Sequence, residues 1–229
     1  MSTSKIKLLS FDLDNTLYDN NSVIKIAEQK SKLYLESQFH KNGSIFDYQR
    51  FSDIKNELLK GAATAPANSK YQFENLSHLR YKVNLDFCSE LSNPEQVARN
   101  ALQIFLSYRS KIEVSSTMLS MLKKLQKRYR IVSITNGNCD PLQTQLASYF
   151  CRSYSPLDGL RAKPHPEMLQ KAISDFDLEK EQVLHIGDRI DADQLAAESA
   201  GCFFYLFAPF EPKTNELEVC NTLLAKLLD

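Results

Sequence analysis

The chain has no surplus of charge, no long apolar run, and no cysteines or histidines at metal-binding spacing. Lysine plus arginine and aspartate plus glutamate stand at 28 each in 229 residues. Charge therefore gives no reason to expect nucleic acid or an anionic membrane as partner. No apolar run approaches the roughly 20 residues needed to span a bilayer. The first seven residues, MSTSKIK, carry no secretory apolar region. The five cysteines (Cys88, Cys139, Cys151, Cys202 and Cys220) show no CxxC spacing. That excludes a disulfide framework or a zinc ribbon and fits reduced thiols in a cytoplasm. The four histidines form no HxxxH pair, and His185 is expected to be a hydrogen-bonded core residue. There is no internal repeat and no disordered tract.

What is present begins with Lys7-Leu8-Leu9-Ser10-Phe11-Asp12-Leu13-Asp14-Asn15-Thr16-Leu17-Tyr18. Leu8, Leu9 and Phe11 read as a buried strand of a parallel sheet. Asp12 and Asp14 follow at its carboxyl end, where open α/β sheets build their sites. Side chains two apart on an extended strand share a face, so both carboxylates can enter one pocket. Taken alone, the same residues also read as a strand followed by an Asp-Asn turn.

Residues 21–109 carry no strand-like apolar run and read as four amphipathic helices, over about 22–39, 46–59, 71–91 and 94–108. Val23, Ile24, Ala27, Leu33 and Leu35 are the apolar positions of the first. Pro94 after Ser92-Asn93 marks the start of the fourth. Residues 61–70 read as a small-residue loop. From about residue 112, strand and helix alternate. Helices are expected over 116–129, 141–150, 166–176, 192–200 and 215–228, and strands over 130–134, 151–154, 182–186 and 202–207. The fold class is therefore α/β: a doubly wound parallel sheet, residues 1–20 and 110–229, with an all-helical domain, 21–109, inserted after the first strand.

The strand ends carry the chemistry. Ile134 is followed by Thr135-Asn136-Gly137-Asn138, where a hydroxyl, an amide and backbone N–H groups suit phosphate oxygens. Ile186 is followed by Gly187-Asp188-Arg189-Ile190-Asp191-Ala192-Asp193. Asp191 reads as an acid in the first turn of a helix. Lys163-Pro164 lies in a rigid stretch before a helix. Asp12, Asp14, Asp188 and Asp193 would converge at one sheet edge. Two unit charges about 4 Å apart repel by roughly 4 kcal/mol at an effective dielectric near 20, so such a cluster calls for a cation. Mg²⁺ suits oxygen donors and phosphate, and Lys163 adds a further positive charge.

These segments, in this order, resemble the four motifs of a haloacid dehalogenase (HAD) superfamily hydrolase: Asp12-Leu-Asp14-Asn-Thr16, Thr135-Asn136-Gly137, Lys163-Pro164, and Gly187-Asp188 through Asp193. The insert resembles that family's helical cap of the type placed between motifs one and two. The resemblance extends to bacterial flavin mononucleotide and phosphoribitylaminouracil phosphatases and to pyrimidine 5′-nucleotidase-like members. It implies Asp12 as nucleophile and Asp14 as acid and base. It implies Thr135, Asn136 and Lys163 on the phosphate, and Mg²⁺ on Asp12, Asp14 (by its carbonyl) and Asp188. Asp193 would support Lys163 or a metal-bound water. The expected enzyme is a cytoplasmic Mg²⁺-dependent phosphatase of small phosphomonoesters, monomeric or homodimeric. A phosphomutase, a 2-haloacid dehalogenase and a non-catalytic binding protein are the rivals on this fold. The dehalogenase branch lacks the carboxylate at the Asp14 position. Arg189 departs from the smaller polar residue of many relatives. Tyr18, Asn20 and the 61–70 loop are the candidate leaving-group contacts.

Overall fold

Five short parallel strands form the sheet in the computed structural model, which describes residues 3–64 and 75–228. They are β1 (Leu8–Phe11), β2 (Arg130–Ile134), β3 (Arg152–Tyr154), β4 (Val183–Gly187) and β5 (Phe203–Leu206), in the order β3-β2-β1-β4-β5. β1 is central and buried on both faces, which is why Leu8-Leu9-Ser10-Phe11 reads as a continuous run and not an alternation. Its register sets Ser10 beside His185 on β4 and Val132 on β2. Strand order reverses at β1, so its carboxyl end opens onto the crevice where such sheets bind ligands.

Eight helices accompany the strands among the described residues. They are α1 (Asn20–Lys41), α2 (Tyr48–Thr64), α3 (Leu76–Phe87), α4 (Pro94–Arg109), α5 (Ser116–Leu125), α6 (Glu167–Asp175), α7 (Leu195–Ala200) and α8 (Glu216–Leu228). The chain forms two compact units, residues 1–21 with 110–229 and residues 22–109. In the sheet unit, Leu8, Val132, Ile134 and Val183 pack with Met168, Leu169, Ala196 and Ala197. Burying an aliphatic side chain of this size contributes about 1.5–3 kcal/mol. Ser115 caps α5 by accepting from the Met118 N–H at 3.1 Å.

The helical unit has its own core, in which Phe46 and Phe87 rings lie 4.7 Å apart and Phe39 and Phe87 4.8 Å apart. Val23, Ala27 and Leu35 are buried as the α1 pattern requires, but Leu33 is 49% exposed. α3 begins at Leu76, capped by the Asn75 side chain on the His78 N–H; residues 65–74 lie outside the described residues, and so does most of the 61–70 loop.

Three elements differ from the sequence reading. α2 runs on through Thr64, so residues 61–64, expected to open a loop, are helical. The helix expected over 141–150 is only a single 3₁₀ turn, Pro141–Gln143. Thr144 is extended, and its hydroxyl both donates to the Pro141 carbonyl and accepts from the Leu146 N–H. A side chain satisfying the backbone locally removes the incentive for a helix. The helix expected over 192–200 is a wide π turn, Ile190–Gln194, followed by α7. No helix among the described residues is long and apolar enough to cross a membrane.

Candidate active site

β1 continues its ladder one residue past the strand, the Asp12 N–H donating to the Ile186 carbonyl at 2.9 Å. The chain then turns. The Thr16 and Leu17 N–H groups return to the Leu13 carbonyl, and Asn15 adopts φ 59°, a left-handed conformation that asparagine tolerates. Leu13, Leu17 and Tyr18 are buried and anchor the turn. The Tyr18 hydroxyl donates to Asp14 Oδ1 at 2.5 Å. The Thr16 hydroxyl donates to Asp188 Oδ1 at 3.0 Å, tying this turn to the end of β4.

Lys163 is the hub. Its ammonium donates to Asp12 Oδ1 at 2.6 Å, to Asp193 Oδ1 at 2.6 Å and to the Ile134 carbonyl at 2.7 Å. All three of its hydrogens have acceptors. Its backbone is clamped as well: the Lys163 N–H donates to Asn136 Oδ1, and Asn136 Nδ2 donates to the Lys163 carbonyl, both at 2.7 Å. The Asn136 amide expected on phosphate is thus committed first to Lys163. Thr135 is buried at the end of β2, where its Oγ1 accepts from the Gly137 N–H at 3.0 Å.

Asp193 reaches this hub because residue 187 lacks a Cβ. A Cβ on Gly187 would lie 2.4 Å from Asp193 Cγ, an impossible contact. The Asp193 carboxylate accepts from Lys163 Nζ, from the Arg189 N–H at 3.0 Å and from His185 Nε2 at 3.1 Å. The Arg189 guanidinium turns outward onto Asp191, with both side chains exposed, so this departure from the family pattern does not enter the cluster. Asp191 stays outside as expected.

Electrostatics mark the cluster. Oxygens of Asp12, Asp188 and Asp193 all lie within 4.8 Å of one another. Three carboxylates face one ammonium, which leaves two formal negative charges unpaired if all are ionised. Burial pushes the Asp12 carboxyl up to about 7, against the opposing charge of Lys163. Burial likewise raises Asp188. Asp193 is buried too, but the His185 hydrogen bond and the Lys163 charge hold it well below the usual carboxylate range. Both Asp12 and Asp193 raise Lys163 against its own burial. A divalent cation fits here: the donors are hard carboxylate oxygens, and the uncompensated charge has the sign that a cation removes. The Asp14 carboxylate is not among the clustered oxygens.

Asp12, Lys163, Asp188 and Asp193 therefore meet at one sheet edge, with Thr135 and Asn136 beside them. Thr16 and His185 join them without having been assigned roles from the sequence. His185 precedes Gly187 by two on a strand, so it shares the face on which Asp193 packs. That spacing was a usable signal.

A family model described as haloacid dehalogenase-like hydrolase matches residues 6–201. The 5-amino-6-(5-phospho-D-ribitylamino)uracil phosphatase YigB of Escherichia coli strain K12 is 27% identical over 202 residues, 86% of this chain and 81% of that protein. The glyceraldehyde 3-phosphate phosphatase of Pyrococcus furiosus is 28% identical over 204 residues, covering 86% and 78%. The fold matches the crystal structure of a 2-haloacid dehalogenase from Pseudomonas syringae pv. Tomato DC3000 with a TM-score of 0.79 at 24% identity, over 96% of this chain and 99% of that one.

Proposed function

Since the chain belongs to the haloacid dehalogenase-like hydrolases, we propose that it hydrolyses small phosphomonoesters through a covalent intermediate on Asp12. It is a phosphatase-type hydrolase, as its named phosphatase relatives are. The observation that carries the mechanism is Asp12 itself, with Oδ1 tied to Lys163 and Oδ2 left only a long 3.4 Å contact from Thr16.

Oδ2 of Asp12 attacks phosphorus, and the bond to the leaving oxygen breaks. Asp14, its rotamer fixed by Tyr18, gives that oxygen its proton. Asp14 then takes a proton from the water that cleaves the aspartyl-phosphate, freeing inorganic phosphate and restoring Asp12. Thr135 and the remaining Asn136 N–H face the phosphate, while Lys163 orients Asp12 and offsets its charge. Mg²⁺, held by Asp12, Asp188 and the Asp14 carbonyl, would offset charge on the phosphoryl oxygens. Asp193, whose oxygens accept from three donors including Lys163 Nζ, supports Lys163.

The retained acid at Asp14 favours phosphate esters over haloacids. Residues 21–109 are assigned the family's cap and the choice of leaving group. Five free thiols suit a cytoplasm. A panel tests this: 5-amino-6-(5-phospho-D-ribitylamino)uracil, glyceraldehyde 3-phosphate, flavin mononucleotide, nucleotides, pyridoxal phosphate and a 2-haloacid. Phosphate release is expected from at least one ester. Chelation should lower it by about a hundredfold or more, and Mg²⁺ should restore it. Halide release without phosphate release, or turnover indifferent to chelation, would contradict the reading.

A further inference from the structure

His185 is fully buried beneath the acidic cluster, out of reach of any substrate. Its Nε2 lies 3.1 Å from Asp193 Oδ1, the same oxygen that takes Lys163 Nζ at 2.6 Å. A carboxylate has no proton to donate, so Nε2 carries the hydrogen. In the neutral ring Nδ1 then accepts from the Ser10 hydroxyl 2.9 Å away, the nearer of its two neighbours, with the Ser10 carbonyl at 3.2 Å. A continuous chain results: Ser10 to His185, His185 to Asp193, Lys163 to Asp193, and Lys163 to Asp12 Oδ1. Serine, histidine and aspartate occur here in the order of a hydrolase triad. Yet Ser10 is fully buried on the central strand, so its hydroxyl cannot be the nucleophile, and the chain of bonds runs instead toward Lys163.

We propose that His185 is a positioning residue: by fixing the Asp193 carboxylate from below, it sets the Lys163 ammonium and, through it, the aim of Asp12. The inference rests on the reading of Asp12 as nucleophile. Asp193 has two other donors, so the fold does not need this bond, but its orientation does. Reacting groups must be held to a fraction of an ångström, and a partner one bond removed from the reacting set typically matters by tenfold or more.

The test uses two amides of similar polarity. In His185→Gln the side-chain N–H reaches about where Nε2 stands and keeps the Asp193 bond. In His185→Asn it stops near Nδ1 and keeps only the Ser10 end. His185→Asn should lose on the order of tenfold in kcat at unchanged KM, with His185→Gln within about threefold of wild type. Equal losses, a wild-type kcat in His185→Asn, or a loss confined to KM would overturn the proposal. Should either variant fail to fold, NMR of the imidazole nitrogens in the wild-type protein decides. Protonated Nε2 supports the proposal, and a bare Nε2 with protonated Nδ1 overturns it. Wild type that releases no phosphate would sink the functional reading instead, leaving the NMR result to stand by itself.

Discussion

Asp12→Asn is expected to lower kcat by about a thousandfold or more while the protein stays folded. Removing a covalent nucleophile eliminates a reaction path, and losses of that size or larger are usual. The fold should tolerate it, because the side chain belongs to the polar cluster at the end of β1 and is not part of the apolar core. The amide also removes one of three mutually repelling carboxylates, while Lys163 keeps Asp193 as its counter-ion. Thermal unfolding should therefore stay near that of wild type. Turnover above about one-tenth of wild type would refute the assignment of Asp12.

Lys163→Met should act on stability first. Lys163 is buried, and its ammonium is the shared partner of Asp12, Asp193 and the Ile134 carbonyl. Removing one partner of a buried ion pair costs roughly 3–5 kcal/mol, because the remaining charge is left unpaired. Here two carboxylates and a carbonyl are left. The pH dependence has a definite sign. Asp12 already titrates high in the fold, raised by burial to about 7 from an ordinary 3.8. A carboxyl raised on folding binds its proton more tightly in the native state, so lowering pH favours that state. Without Lys163 the Asp12 carboxyl rises further. The deficit should thus be largest in alkaline buffer, shrink as pH falls through the neutral range, and shrink also when Mg²⁺ supplies the missing charge. Urea unfolding with and without Mg²⁺ measures this. A loss below about 1 kcal/mol in chelator would mean that the cluster does not depend on Lys163.

How much of this was legible follows from how local each signal is. β1 and the turn after it announce themselves, because a buried parallel strand is a continuous apolar run and its end carries Asp12 and Asp14. Lys163, Asp188 and Asp193 were expected to join Asp12, and they do. The Asn136 clamp was not legible, since it depends on a loop 27 residues away folding back to offer both backbone groups. The apparent helix over 141–150 failed on a single hydroxyl: Thr144 satisfies its neighbours' backbone, and no periodicity reports that. The first turn after Asp188 is widened because the Gln194 N–H reaches back five residues to the Arg189 carbonyl at 3.2 Å, while the Asp193 carboxylate takes the Arg189 N–H. His185 was legible only in part. Its burial and hydrogen bonding were expected, but its link to Lys163 required the missing Cβ of Gly187 as well.

Rapid quench of Asp14→Asn with an activated phosphate ester tests the central claim most directly. Without its base, this variant should form the aspartyl-phosphate and fail to hydrolyse it. Acid quench, digestion and peptide mass spectrometry should then locate one phosphoryl group on Asp12. Phosphoryl found on another residue, or on none while the leaving group is still released, would contradict the account.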